Sequence, residues 1–135
     1  MAYLDTTAGA FRERSASSIP VTSLAVRVSE AHTADDTLTA AESGSVHTTV
    51  GAAGTVVFTL PAAAVGLEYF FRVGAVQELR IDPNASETIA LPSTGAPSAG
   101  GAYITANAIG ETVHILCATA GHWSVVGFTG TWTAV

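Results

Sequence analysis

The sequence has no lysine, one cysteine and one methionine among its 135 residues, and the first two shortages each close a class of function. All five basic residues are arginines, set against eleven acids for a net charge of −6. Polyanion binding draws on clustered Lys and Arg, so nucleic acid is not an expected partner. The lone Cys117 excludes a disulfide framework and any multi-cysteine zinc site within one chain. Charged residues make up only 12%, roughly half the usual share of about 25%. So few charges suit a chain that packs against other copies. No apolar run approaches the roughly 20 residues that span a bilayer as a helix. The N-terminus has neither the basic start nor the apolar stretch of a secretory leader, so a protein made in the cytoplasm without a membrane partner is expected.

Familiar catalytic patterns are missing too. No Gly-rich turn is followed by lysine, and neither HExxH nor GxSxG occurs. His114, Cys117 and His122 are zinc-ligand types near one another, yet a closed structural site needs four ligands. On an extended strand His114 and Cys117 also face opposite sides. In the run Val113–Ala118, Cys117 reads as a small core residue without a base to activate it. His32 with Asp35 and Asp36 lacks the spaced oxygens of a calcium loop and reads as solvated loop. Asn84-Ala-Ser86 reads as a turn after Pro83. Trp123 and Trp132 have no neighbouring carboxylates and read as core or subunit packing rather than a sugar site. No catalytic residue, cofactor or metal is expected.

What is present is a chain of Val, Thr, Ala and Gly in short runs between turn residues, the pattern of an all-β domain. Residues 1–20 lack any apolar period and end at Pro20, which marks an extended N-terminal arm before a β-domain over 21–135. The arm nets to zero charge, so the whole −6 lies in the domain. Alternation predicts a strand over Val21–Val28, with Leu24, Val26 and Val28 on one face. Ser29 to Ser45 is read as loop with a short strand near Thr37–Ala40 or a helical turn at Ala40–Glu42. A hairpin is predicted from Val46–Val50 through Gly51–Gly54 to Thr55–Leu60, with Val56, Phe58 and Leu60 inward. A second hairpin joins Leu67–Val73, with Tyr69, Phe71 and Val73 on one face, to Val76–Asp82, and places Arg72 opposite Glu78. Shorter strands follow at Glu87–Leu91, Ala102–Ala106, Thr112–Thr119, Trp123–Phe128 and Thr131–Val135. Seven to nine strands at this spacing predict a single antiparallel β-sandwich or jelly-roll-like barrel.

From Thr37 to the end, the chain carries a Gly-Ala-Ala-Gly turn at 51–54, Thr-Leu-Pro at 59–61, the aromatic strand at 67–73, Ile-Asp-Pro at 81–83 and the closing run HWSVVGFTGTW at 122–132. In these features it resembles a family of small β-rich virion proteins of tailed phages. The resemblance implies a non-enzymatic capsid decoration or cement protein on the virion surface, bound to the major capsid protein. A receptor- or carbohydrate-binding domain of a head or tail fibre is the alternative. A homotrimer is the expected self-association on an icosahedral lattice. Residues 1–36 lie outside the resemblance. In the arm, Tyr3, Leu4, Phe11, Arg12 and Arg14 are the expected partner-binding residues, since large side chains beside Arg are the types that dominate binding energy. The fibre alternative requires Tyr69, Tyr103, Trp123 and Trp132 to form an exposed patch.

Overall fold

The computed structural model describes residues 27–135, which form two sheets packed face to face and a single 3-10 turn at Ala40–Glu42. The arm residues and most of the expected Val21–Val28 strand lie outside the described residues. Within them, Val28 is exposed and precedes the first strand. Eleven strands are defined there: β1 (Ser29–Ala31), β2 (Asp36–Thr37), β3 (Val46–Thr48), β4 (Val56–Thr59), β5 (Glu68–Arg72), β6 (Leu79–Asp82), β7 (Thr88–Ile89), β8 (Ile104–Ala106), β9 (Thr112–Thr119), β10 (His122–Thr129) and β11 (Thr133–Ala134). The larger sheet has the order β1-β3-β5-β9-β10-β7 and the smaller β11-β8-β6-β4-β2.

The expected all-β sandwich is therefore present, but its sheets are mixed rather than antiparallel. The pairs β1–β3, β3–β5, β2–β4, β4–β6 and β7–β10 are parallel. The pairs β5–β9, β9–β10, β6–β8 and β8–β11 are antiparallel. The route of the chain explains this. From β1 to β8, each strand lies in the sheet opposite its predecessor. A parallel neighbour needs a crossover, and here the crossover is a strand of the facing sheet. β1 to β6 thus wind as successive coils of a flattened helix, which also excludes the jelly-roll alternative, built of antiparallel Greek keys.

Both expected hairpins open into this winding. Val46 pairs with Phe70, and Val56 with Leu79, so β3 and β4 face each other across the core instead of lying side by side. The physical reason is burial: β3 and its flanks turn Ser45, His47 and Thr49 inward, against Val56, Phe58 and Leu60 from the facing sheet. Gly74 likewise carries the chain between sheets. A Cβ there would sit 2.5 Å from the Val50 backbone nitrogen, a close approach only glycine permits. Arg72 accordingly pairs in register with Thr48 and Thr112, while Glu78 accepts a hydrogen bond from Thr105 Oγ1 at 2.6 Å, and no Arg72–Glu78 bridge forms.

Such short ladders leave backbone N–H groups for side chains to satisfy. Asp35 Oδ1 accepts from Val57 N at 2.9 Å, Ser43 Oγ from Glu68 N at 3.0 Å and Thr49 Oγ1 from Gly74 N at 2.9 Å. The Glu87 carboxylate accepts from Ala63 N through both oxygens, at 3.0 and 3.1 Å. The core between the sheets follows the expected alternation elsewhere. Tyr69, Phe71 and Val73, then Val113, Ile115 and Cys117, meet Val56, Phe58, Leu79, Ile81 and Ile104. Each large side chain so buried contributes about 1.5–3 kcal/mol.

Candidate functional site

Two places concentrate chemistry. The first is the outward face of the larger sheet, where the pleat places Glu68, Phe70 and Arg72 of β5 beside Thr112 and His114 of β9. Phe70 stacks on His114 with ring centroids 3.7 Å apart and an interplanar angle of 22°. The Arg27 guanidinium lies 4.2 Å from the Phe70 centroid and donates to the Gly44 carbonyl at 2.9 Å. Glu68 Oε1 and His114 Nε2 are 2.7 Å apart. Beside this stack a largely apolar groove is lined by Val46, Phe70, Gly127 and Phe128, and β10 continues the exposed apolar surface with Val126. The groove exists because Gly127, opposite His114, brings no side chain to the outer face and sits at a register shift between β9 and β10.

The second place is a buried polar chain that enters the core from the β1 edge. Ser45 Oγ donates to the Glu42 carbonyl and lies 2.7 Å from His47 Nε2. His47 Nε2–H therefore donates to Ser45, leaving His47 Nδ1 as an acceptor that faces His32 Nε2 at 3.1 Å. His32 Nδ1 in turn faces Asp36 Oδ2 at 3.6 Å. Glu30 Oε1 lies 3.5 Å from His32 Nε2 and 3.9 Å from His47 Nδ1. Burial lowers the pKa of His47 and neighbouring His32 lowers it further, with Glu30, Glu42 and Asp36 opposing. The two rings pack on Phe58, at centroid distances of 4.9 Å for His32 and 5.7 Å for His47. Nearby, the Tyr69 hydroxyl donates to the Thr39 carbonyl at 2.7 Å, and burial with the charge of Glu42 pushes its pKa up to about 12.

Neither a known protein family nor a curated protein matches the chain. The residues themselves therefore carry the functional reading. His114 points outward and Cys117 inward, as strand parity requires, and burial pushes the Cys117 thiol pKa up, which disfavours the reactive thiolate. His122 Nδ1 is engaged with Thr88 Oγ1 at 2.7 Å. Asn84 accepts a turn hydrogen bond from Glu87 N at 2.9 Å, as the turn reading requires. His32 is not a solvated loop residue: its side chain is 13% exposed and tied to His47. Tyr69, Trp123 and Trp132 are buried, and Tyr103 lies under Arg80, whose guanidinium is 3.5 Å from its centroid. The exposed patch the fibre alternative requires is absent from these four residues. Tyr3, Leu4, Phe11, Arg12 and Arg14 lie outside the described residues.

Sequence reasoning passed over His47 altogether, because Val46–Val50 entered only as the first strand of a hairpin, with no face assigned to its residues. The available signal was the alternation Ser45, His47, Thr49, a polar set of period two that matches an inward face as well as an outward one. Only the requirement that β3 face β4 selects between them.

Proposed function

We propose that this chain is a non-enzymatic structural protein of a tailed-phage virion, a capsid decoration protein that associates with its own copies and binds the major capsid protein. The observation that carries the reading is the apolar groove lined by Val46, Phe70, Gly127 and Phe128 beside the Phe70–His114 stack. Phe128 is 42% exposed and Val126 56% exposed on β10, an apolar surface that another copy can cover, with Arg72 and His114 among the residues lining the groove. The resemblance of residues 37–135 to small phage virion proteins supplies the setting, and the low charge of the chain agrees with it.

In this reading the groove is covered by a sister subunit, three copies close around a threefold axis, and the arm reaches the capsid through Tyr3, Leu4, Phe11, Arg12 and Arg14. Arg27, the first described residue, seats its guanidinium over Phe70 at the groove, 4.2 Å from the ring centroid. Light scattering at micromolar concentration tests self-association: a trimer mass is expected for the native chain and a monomer mass for Phe128→Asp. Co-sedimentation with undecorated capsids tests the partner. Deleting residues 1–20 is expected to weaken capsid binding by about tenfold or more, roughly 1.4 kcal/mol, while leaving the trimer intact. A monomeric native chain, or capsid affinity untouched by the deletion, overturns the corresponding half of the reading.

A further inference from the structure

We propose that Glu30, His32 and His47 form a binding site for a divalent cation of the zinc class, which fastens the edge strand β1 to the sandwich. Glu30 Oε1, His32 Nε2 and His47 Nδ1 converge within 4.8 Å of one another, and no other such group of three occurs among the described residues. Their separations of 3.1, 3.5 and 3.9 Å are those of ligand atoms around one ion. Bonds of about 2.0–2.1 Å in tetrahedral geometry put ligand atoms roughly 3.4 Å apart, whereas adjacent octahedral positions lie only about 3.0 Å apart. The observed set centres on the tetrahedral spacing. Two imidazoles and one carboxylate are a zinc donor set, and three protein ligands leave the fourth position to water.

The surroundings are those of a ligand sphere rather than of a chance encounter. Metal-bound histidines are oriented through their second ring nitrogen by a hydrogen-bond acceptor. His47 Nε2 is held by Ser45 Oγ at 2.7 Å, and His32 Nδ1 faces Asp36 Oδ2 at 3.6 Å. In both rings the nitrogen left over is the one aimed at the convergence point. On binding, the proton that His32 Nε2 shares with His47 Nδ1 is displaced, and His32 takes the Nδ1–H tautomer facing Asp36. Phe58, Phe71 and Tyr69 surround His47 at centroid distances of 5.7 to 6.2 Å, which keeps the inner side of the site apolar and strengthens charge–ligand attraction. Glu30, with its side chain 43% exposed, opens the other side to solvent and gives the ion a way in.

The role follows from which elements the ligands join. Glu30 lies on β1 and His32 just after it, while His47 lies on β3, and the β1–β3 ladder is only three residues long. β1 is an edge strand with one neighbour, and the chain enters the described fold through it. A cation bridging the pair supplies the fastening that so short a ladder lacks. The proposal departs from the sequence expectation of a metal-free protein and stands independently of the virion reading. It leaves the separation of His114 from Cys117 untouched.

The test uses the tag-free full chain after chelator treatment. Titration calorimetry with Zn2+ is expected to show one site per chain, Co2+ is expected to give the visible absorption of a tetrahedral centre, and Zn2+ is expected to raise the melting temperature. Glu30→Gln, at a solvent-exposed position, and His32→Gln, at a largely buried one, are expected to weaken Zn2+ binding by roughly a hundredfold or more, since losing a ligand exceeds the 10–100-fold cost of losing a ligand's orienting partner. Asp36→Asn is expected to weaken it by about tenfold. His114→Gln is expected to leave it unchanged. Absence of Zn2+ binding by the native chain, or binding that survives unaltered in the Glu30→Gln/His32→Gln double variant, overturns the proposal.

Discussion

In the hairpin of β9 and β10, two eight-residue strands pair with each other as neighbours in sequence, and the ladder carries most of the backbone pairing, with Thr129 Oγ1 accepting from Thr112 N at 3.1 Å at its far end. In the coil from β1 to β6 the strands are two to five residues long, their partners lie a full coil away, and side chains take over part of that work. Asp35, Ser43 and Thr49 each accept a backbone N–H from the next coil. The inner faces differ in the same sense. The hairpin buries Val113, Ile115, Cys117 and Trp123, whereas β3 and its flanks bury Ser45, His47 and Thr49. Apolar burial holds the hairpin, and in the coil directed polar contacts around β3 add to the apolar core that β4, β5 and β6 supply.

The contrast can be broken or sharpened by substitution. Trp123 is fully buried in the hairpin and meets Tyr69 at a centroid distance of 5.7 Å. Trp123→Ala is expected to cost about 3–5 kcal/mol in denaturant unfolding, the largest effect here, because it removes core volume that neighbours cannot refill. A loss below about 1 kcal/mol would remove the apolar account of that half.

Glu111 comes next, at the seam between the hairpin and β11. Burial opposes the charge of this carboxylate, and the N–H groups of Thr131, Ala108 and Asn107 outweigh it, so its pKa lies below the ordinary 4.5. A depressed folded pKa means stabilisation that is complete above the unfolded value and lost as pH falls through the folded one. Glu111→Gln is expected to cost about 1.5–3 kcal/mol at neutral pH, with a shallower loss of stability in acid than the native chain. Parallel acid-unfolding curves for the two proteins would show that Glu111 does not carry this charge effect.

In the coil, Thr49→Val keeps the shape and removes the acceptor of Gly74 N–H. The expected cost is about 1–2 kcal/mol, with faster amide exchange at Gly74 than at hairpin positions. Equal exchange in both regions would erase the distinction between them. The smallest effect is expected for Tyr69→Phe, which deletes only the hydroxyl donated to Thr39 and is set to cost about 0.5–1.5 kcal/mol by thermal unfolding.

The same contrast explains what the sequence made legible. β9 was read to the residue and β10 to within one residue at each end, because long strands with a local partner show their period in one window. The inward faces Val56/Phe58/Leu60, Tyr69/Phe71/Val73 and Leu79/Ile81 were legible too, because alternation of period two shows within a short strand wherever its partner lies. Pairing was not. A Gly-rich turn such as 51–54 serves equally for a hairpin and for a passage between sheets, and only the distant partners Phe70 and Leu79 decide which it is. The convergence of Glu30, His32 and His47 was beyond reach for a related reason, since it requires β1 and β3 to be parallel neighbours separated in sequence by a strand of the other sheet. The outer groove depends on the register shift at Gly127, which leaves no trace in composition.

The alternation of the chain between sheets has a kinetic meaning. No coil strand can find its ladder partner until the chain has passed through the opposite sheet and returned, so loop-closure entropy is spent before most contacts of the coil can form. The β9–β10 hairpin is the long ladder closed by a tight local turn, at Gly121. Folding is therefore expected to start at the β9–β10 hairpin, with β5 adding to β9 and the coil laid down outward toward β1. Because ribosomes deliver the N-terminal coils first, they wait without a template until β9 and β10 emerge, and the nascent chain is at its most exposed just before that point.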